Sequence, residues 1–154
     1  MILVIGEALI DLIGHEGSNQ GYNPVVGGAN ANVAVALARA DVPHRLLARI
    51  SADSFGHKIR AHLESYKVDL SLSVAAAEQT TLAIATIDSA GVASYAFYIH
   101  GTADWAWEPK ELPTIEAVTL LGAKAVQFGC LTAAIEPGSK VLADWLATLS
   151  DSRQ

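Results

Sequence analysis

The sequence of 154 residues has one cysteine, few basic residues and no long apolar run. Cys130 has no second cysteine to pair with, so an internal disulfide is excluded, which fits a reducing, cytoplasmic compartment. The 10 Lys and Arg are outnumbered by 16 Asp and Glu and form no basic cluster of the kind that binds nucleic acid. No apolar stretch approaches the roughly 18 residues of a membrane span, and no basic flank of a signal peptide precedes the first apolar stretch. These absences predict a cytoplasmic globular protein with neither nucleic acid nor membrane as a partner.

Along the sequence, apolar runs alternate with helical patterns, and this predicts an α/β protein with a parallel sheet covered by helices. Buried strands are expected at 2–5, 45–50 and 125–128, and helices at 29–40, at 54–66 with Asp53 as N-cap, from about 114, and from 137. Strands with one wet face are expected at 70–74, 81–87 and 92–99, with a hairpin turn at 88–91, and these predict a small separate sheet.

The segment Gly27-Gly28-Ala29-Asn30-Ala31-Asn32 joins a predicted strand to a predicted helix. Glycine allows a ligand to approach the backbone closely, and the start of a helix offers free N–H donors. The two asparagine amides both donate and accept hydrogen bonds, as a hydroxyl-rich ligand requires. A tight turn followed by helix caps is the commoner explanation of a glycine pair taken by itself, so the motif needs support from other residues.

Two carboxylates precede this turn. Asp11 stands alone in an apolar stretch, where its charge needs a hydrogen-bonding partner or a cleft. It is either a turn aspartate or an acceptor for two neighbouring sugar hydroxyls. Glu7 lies four residues earlier, but extended backbone separates the two side chains, which argues against an acid/base pair.

Other site chemistry is sparse. The sequence has no Walker-type phosphate loop and no dinucleotide-binding glycine pattern, and its five histidines lack the spacing of a zinc site. The aromatic residues Tyr95, Phe97 and Tyr98 on the second hairpin strand either stack on a ligand or pack against a sheet.

Taken together, five segments resemble the ribokinase/PfkB carbohydrate kinase family and, within it, the fructokinases most. They are Gly6–Asp11, Gly27–Ala38, Asp53–Gly56, Gly101–Trp105 and the strand ending at Phe128-Gly129, in the family's order and spacing along essentially the whole chain. Asn30 departs from the family pattern, which often has proline there. Ser51-Ala52-Asp53 replaces a turn that usually contains glycine.

The resemblance implies a ribokinase-like three-layer α/β sandwich, here incomplete, with a small β-sheet lid whose strands lie approximately within 8–26 and 70–99 of a single domain, 1–154. It implies that Asp11, Gly28 and Asn32 hold sugar hydroxyls, that Gly27 shapes the turn and that Phe97 covers the sugar. The family reaction uses ATP and Mg²⁺ to phosphorylate a sugar hydroxyl.

The resemblance stops short of the family's Gly-Ala-Gly-Asp segment, which holds the phosphates and supplies the catalytic aspartate. Nothing after Leu131 is similar to it. We therefore expect no catalytic residue and no strong ATP binding in this chain. The alternatives are a non-catalytic module that binds sugar or forms a homodimer through its lid, and a nucleoside kinase of the same family; a Rossmann-type oxidoreductase is disfavoured.

Overall fold

The computed structural model describes residues 1–151 of the predicted domain, and 152–154 lie outside the described residues. The strands are β1 (Ile2–Ile5), β2 (Leu9–His15), β3 (Asn23–Gly27), β4 (His44–Leu47), β5 (Arg49–Ser51), β6 (Val74–Ala76), β7 (Leu82–Ile87), β8 (Ala93–Tyr98) and β9 (Ala125–Phe128). The helices are α1 (Ala29–Arg39), α2 (Ser54–Ser65), α3 (Ile115–Leu120) and α4 (Gly138–Asp151).

A parallel sheet in the order β4–β1–β9 forms the centre of the core. Leu3, Val4 and Ile5 of β1 are fully buried, as expected for a central strand covered on both faces. Val4 packs into a cluster with residues of α1 and α2, whereas Leu3 and Ile5 pack with Trp107 and with Leu142 of α4. The predicted arrangement of helices on both faces of a parallel sheet is confirmed.

The single strand predicted at 45–50 is wrong, because two strands of different sheets occupy this stretch. β4 pairs with β1, whereas β5 forms a separate parallel pair with β6. The break falls at Ala48, whose amide donates to Ser73 Oγ at 3.3 Å, and Ser73 Oγ donates to Leu46 O at 2.8 Å. A side chain from a later loop thus replaces a neighbouring strand at this point.

The strand predicted at 70–74 is also wrong. Ser73 N donates to Leu70 O at 2.8 Å, and Ser71 N donates to Asp69 Oδ1 at 2.9 Å, so the chain turns here. Serine and aspartate side chains compete with strand pairing in this way when they hydrogen-bond to nearby backbone. The strand that follows, β6, belongs to the pair with β5 and not to the lid.

The lid is a four-stranded sheet in the order β3–β2–β7–β8, in which β2 and β7 are parallel and the two outer strands are antiparallel to them. One face of it carries Ile10, Leu12 and Leu82, which pack into the core cluster that includes α2. The predicted turn at 88–91 is confirmed, since Ala90 N and Val92 N donate to Asp88 Oδ1 at 2.9 and 2.8 Å. The opposite face of the lid carries Asp11 and faces away from that cluster.

Asp53 is the N-cap of α2, as predicted, and accepts the Gly56 amide at 2.8 Å. Its carboxylate also accepts the amide and the hydroxyl of Thr80, at 2.8 and 2.7 Å, which fixes α2 to the segment that leads into β7. Burial acts to raise the pKa of Asp53, but hydrogen bonds from Thr80, Gly56 and Ser51 outweigh it and lower the pKa to about 2. Within 1–151, no helix has both the length and the apolar character needed to cross a bilayer.

Candidate functional site at the lid

The Asp11 carboxylate and Gly27 meet where β2 and β3 pair. Leu9 lies opposite Gly27 and Asp11 opposite Val25 in this antiparallel ladder. A Cβ atom at Gly27 would lie 2.1 Å from Asp11 Oδ2, so the carboxylate occupies the space that a side chain at position 27 would need. The position of the Asp11 carboxylate therefore requires glycine at residue 27.

Asp11 is half-buried, and no group among residues 1–151 donates a hydrogen bond to its carboxylate. Burial raises its pKa above the ordinary 3.8. A carboxylate that is partly removed from water and has no protein donor retains its full capacity to accept hydrogen bonds from a ligand. This separates Asp11 from an ordinary turn aspartate such as Asp88, whose carboxylate is satisfied by backbone amides.

Gly28 and Asn32 follow on the same side of the start of α1. Gly28 has a φ of 103°, and a Cβ there would lie 2.6 Å from Glu7 O, so both conformation and space favour glycine. Asn32 N donates to Gly28 O at 3.0 Å, and residues four apart lie one above the other on a helix. Asn32 is exposed and lies one helical turn from Gly28.

The expectation that the start of α1 offers free N–H donors is corrected at two positions. Glu7 receives the Ala29 amide on Oε1 at 3.3 Å, and its backbone oxygen receives the Ala31 amide at 3.3 Å. Asn30 is fully buried and its Nδ2 donates to Glu7 Oε2 at 3.0 Å and also to Gly129 O. Glu7 is therefore the cap of α1, and Asn30 faces the interior, away from any ligand at the lid.

Phe97 shares the face of the lid on which Asp11 lies. Phe97 pairs with Ala83 of β7, and Ala83 pairs in turn with Asp11 of β2. Residues that are directly paired in a sheet project from the same face. Two strand spacings separate the rows, about 10 Å. Phe97 is 50% exposed and stacks on Tyr95, with ring centroids 6.1 Å apart. Tyr98 projects from the other face.

The structure thus brings Asp11 against Gly27, with Gly28 next in the chain and Asn32 one helical turn further, and it places Phe97 on the same face of the lid as Asp11, two strands away. Phe97 also borders a cleft of about 440 Å³ that Asp11 does not line. No group of three His, Cys, Asp or Glu side chains in the described part of the chain is placed to hold a metal ion. These residues offer an acceptor, an amide and an aromatic ring, a set suited to a ligand rich in hydroxyl groups.

The sequence model of the pfkB family of carbohydrate kinases matches residues 1–136. The chain belongs to this family. The fructokinase of Rhizobium leguminosarum bv. trifolii is 32% identical over 134 residues, which cover 86% of this chain and 40% of that protein.

Solved structures show the same fold for this pfkB chain. The fructokinase from Xylella fastidiosa superposes with a TM-score of 0.84 at 24% identity, over 97% of this chain and 49% of that one. An uncharacterised sugar kinase from Pyrococcus horikoshii, solved in complex with ATP, gives a TM-score of 0.85 at 27% identity, over 99% and 50%. The predicted ribokinase-like α/β fold is confirmed, and the chain spans about half the length of these relatives.

Asp104 is a buried carboxylate of the pfkB chain that was not singled out from the sequence. It is 2% exposed, and its Oδ1 accepts the Ala8 amide at 2.9 Å from 96 positions away. Burial raises its pKa to about 7, and the charge of Glu7 adds to the rise, while hydrogen bonding to Thr81 and Ala8 opposes it. The signal in the sequence was the one that identified Asp11, a lone carboxylate in an apolar run, here between Ala103 and Trp105.

Arg49 is a second buried charge near this point. Its guanidinium is paired with Glu78 and Glu111, each at 3.1 Å, and its Nη1 donates to Ala103 O at 2.9 Å. Arginine suits this role because its planar fork reaches several acceptors at once. Arg49 therefore fixes the segment that carries Asp104 to β5.

Proposed function

We propose that this chain binds a monosaccharide, with fructose favoured, on the lid face formed by Asp11, Gly27, Gly28, Asn32 and Phe97. The observation that carries the proposal is the Asp11 carboxylate, which is half-buried and receives no hydrogen bond from residues 1–151. It lies against Gly27, in the space that a Cβ at that position would need. The similarity to fructokinases supports the choice of sugar.

Each residue has a distinct task in this proposal. The Asp11 carboxylate accepts hydrogen bonds from two adjacent sugar hydroxyls, and the Asn32 amide donates to or accepts from a third. Gly27 and Gly28 allow the sugar to approach the backbone. Phe97 covers the apolar face of the sugar, and the lid excludes water, which would otherwise compete with the sugar hydroxyl as a phosphoryl acceptor.

The reaction of the whole enzyme is, in this proposal, transfer of the ATP γ-phosphate to a primary sugar hydroxyl. Phosphoryl transfer depends on positioning and on electrostatic stabilisation of the transferred group. The residues of this chain supply sugar positioning, whereas no segment of it resembles the family's phosphate-binding Gly-Ala-Gly-Asp sequence. We therefore infer that the chain alone binds sugar without turning it over.

Calorimetric titration of the chain with fructose, ribose and adenosine tests the binding site. Fructose-selective binding is expected, whereas selective binding of adenosine would favour a nucleoside kinase. Asp11→Asn should weaken fructose binding about tenfold or more, since a hydrogen bond to a charged group contributes about 1.5–3 kcal/mol. Asp144→Asn, on the exposed face of α4, is the matched control and should leave the affinity unchanged. Equal affinity of the Asp11 variant and the parent would refute the site.

An ATP turnover assay on the same preparation tests the inferred lack of catalysis. No phosphorylated fructose is expected above the protein-free background. Sugar phosphate that accumulates in proportion to the concentration of the chain would contradict this inference while leaving the sugar site intact.

A lid-mediated homodimer is the second candidate. Every residue of β8 is exposed, and β8 is an outer strand of the lid that presents Tyr95, Phe97 and Tyr98. An exposed edge strand with aromatic side chains favours pairing with another strand. Sedimentation of the parent and of Tyr95→Lys tests it: a dimer that the substitution dissociates supports this function, and a monomeric parent refutes it.

A further inference from the structure

Four chain segments connect the lid to the core, and hydrogen bonds tie them to one another. The segments precede β2, follow β3, precede β7 and follow β8. The hydroxyls of Thr81 and Thr102 lie 2.7 Å apart and join the two segments at the β7–β8 hairpin. The Ala103 amide donates to Gln79 O at 2.9 Å and joins the same two segments again.

Asp104 is the side chain that joins the segment after β8 to the segment before β2. Its Oδ1 accepts the amide of Ala8, which is the residue directly before β2. Asp11 lies three positions further along the same strand, about 10 Å away at the rise of an extended chain. Because a paired strand is stiff over this distance, the position of the Ala8 amide fixes the direction from which Asp11 approaches Gly27.

We propose that Asp104 is a positioning residue that holds the start of β2, and through it the Asp11 carboxylate, in the geometry that binds sugar. The inference rests on the proposed function for its consequence in sugar binding. The hydrogen bond from the Ala8 amide to Asp104 Oδ1 (the Ala8 tie) is a property of the fold and is measurable without a ligand.

The charges around Asp104 make this tie sensitive to pH. Glu7 lies on the same connection as Ala8, and its charge disfavours ionisation of Asp104. Arg49 on β5 donates a hydrogen bond to Ala103 O, but its positive charge is already paired with Glu78 and Glu111. α4 approaches this turn through Gly138, which carries no charge.

Deprotonation of Asp104 therefore places a second negative charge beside Glu7 without a new cation to meet it. Since burial raises its pKa to about 7, the neutral acid predominates below that pH and the carboxylate above it. A buried, uncompensated charge favours local opening that admits water. In an opened state Asp104 would have its ordinary pKa of 3.8, so the closed state with the Ala8 contact loses stability as the pH rises from 3.8 to about 7, and the loss is complete above 7.

Amide NMR of the labelled chain tests the tie directly. The Ala8 amide resonance of the parent should shift with a midpoint near pH 7, and this step should vanish in Asp104→Asn, which keeps an oxygen acceptor without the titration. In Asp104→Ala the Ala8 amide should exchange with solvent at least about tenfold faster than in the parent. Thr114→Ala, which removes the cap of α3, is the control for general destabilisation and should leave Ala8 exchange unchanged relative to the other core amides.

Calorimetry with fructose tests the consequence for Asp11. At about pH 4 the Asp104→Asn variant should bind within about threefold of the parent, whereas Asp104→Ala should bind about tenfold more weakly. The affinity of Asp104→Asn should lack the decline that the parent shows as the pH rises from 3.8 to about 7. If Asp104→Ala does not fold, the pH dependence of the parent and of Asp104→Asn decides alone.

The outcomes separate this inference from the proposed function. Unchanged exchange of the Ala8 amide in a folded Asp104→Ala overturns the contact, and a pH step that persists in Asp104→Asn overturns the assignment of that step to Asp104, whether or not sugar binds. Unchanged fructose affinity in a folded Asp104→Ala overturns the positioning of Asp11. If the parent binds no fructose, the proposed sugar site fails, and the exchange rates at Ala8 and Ile10 still decide whether Asp104 fixes the start of β2.

Discussion

Alanine at position 27 would place a methyl carbon 2.1 Å from Asp11 Oδ2. An ordinary van der Waals contact begins near 3.4 Å, so the carboxylate would have to retreat by about 1.3 Å. The clashing atom is the end of a flexible side chain, and the φ of Gly27 is not in the left-handed region. Gly27→Ala should therefore fold, and replacing glycine in a compatible conformation stabilises by about 0.4–1 kcal/mol.

The same retreat would break the hydrogen bonds proposed between Asp11 and two sugar hydroxyls. Each bond to a carboxylate contributes about 1.5–3 kcal/mol, so loss of both should weaken fructose binding by about 100-fold or more. Calorimetric titration measures the affinity, and urea unfolding measures the stability of the same sample. Weak binding in a fully stable variant is the expected pair of results.

Gly28→Ala provides the contrast, because the methyl group there would meet backbone. It would lie 2.6 Å from Glu7 O, at a φ of 103° that disfavours any residue with a Cβ. The steric and conformational costs together should exceed about 2 kcal/mol of folding free energy. Fructose affinity of Gly27→Ala within threefold of the parent would refute the coupling between the glycine and the carboxylate. Wild-type stability of Gly28→Ala would refute the structural role assigned to the second glycine.

Three further substitutions test the supports of the site by urea unfolding. Asp53→Ala should lower the free energy of unfolding by about 1–2 kcal/mol at neutral pH, because it removes the α2 cap and the Thr80 contacts. Since the pKa of Asp53 is lowered from 3.8 to about 2, this contribution is present above pH 4 and is lost as the pH falls through 2. Below that pH, parent and variant should have the same stability. Arg49→Met should lower the free energy of unfolding by about 1–3 kcal/mol, since it leaves two partly buried carboxylates without their cation, and equal stability would exclude a structural role for the ion pairs. Glu7→Gln should lower the free energy of unfolding by about 1–3 kcal/mol, because an amide nitrogen replaces either the oxygen that accepts from Asn30 and Thr132 or the one that accepts the Ala29 amide. An unchanged unfolding midpoint would contradict the role of Glu7 as a cap of α1.

The parts of the fold that were predicted from the sequence depend on neighbours in the chain. The Asp53 cap and the turn at Asp88 involve residues three or four positions apart, so their signals are local. The break at Ala48 was not predictable, because it depends on Ser73, 25 positions away, while the local sequence 45–50 is a uniform strand pattern.

The candidate site was also predicted only where its signals are local in the sequence. The sequence identified Asp11, Gly27, Gly28 and Asn32, and the structure brings Asp11 against Gly27, although the roles of all four in binding stay predictions. Glu7 was considered only as a partner for Asp11. Its actual partners include the amide of Thr132, 125 positions away, which no spacing rule relates to residue 7.

Glu7 and Asp11 are four positions apart, but their carboxylates have different surroundings. Glu7 is 1% exposed, and its side chain and backbone oxygen receive donors from α1 and from the turn after β9. Asp11 has crossed into the lid, where no protein group donates to it within the described residues. The Ala8 amide, held by Asp104, lies between them and sets the relation of one carboxylate to the other. Among the described residues, the groups that contact the Asp11 carboxylate and cap the start of α1 lie within residues 1–136, the stretch that matches the family. The proposed sugar site thus has its supports in this stretch, and for this reason sugar binding and turnover are separate measurements on this chain.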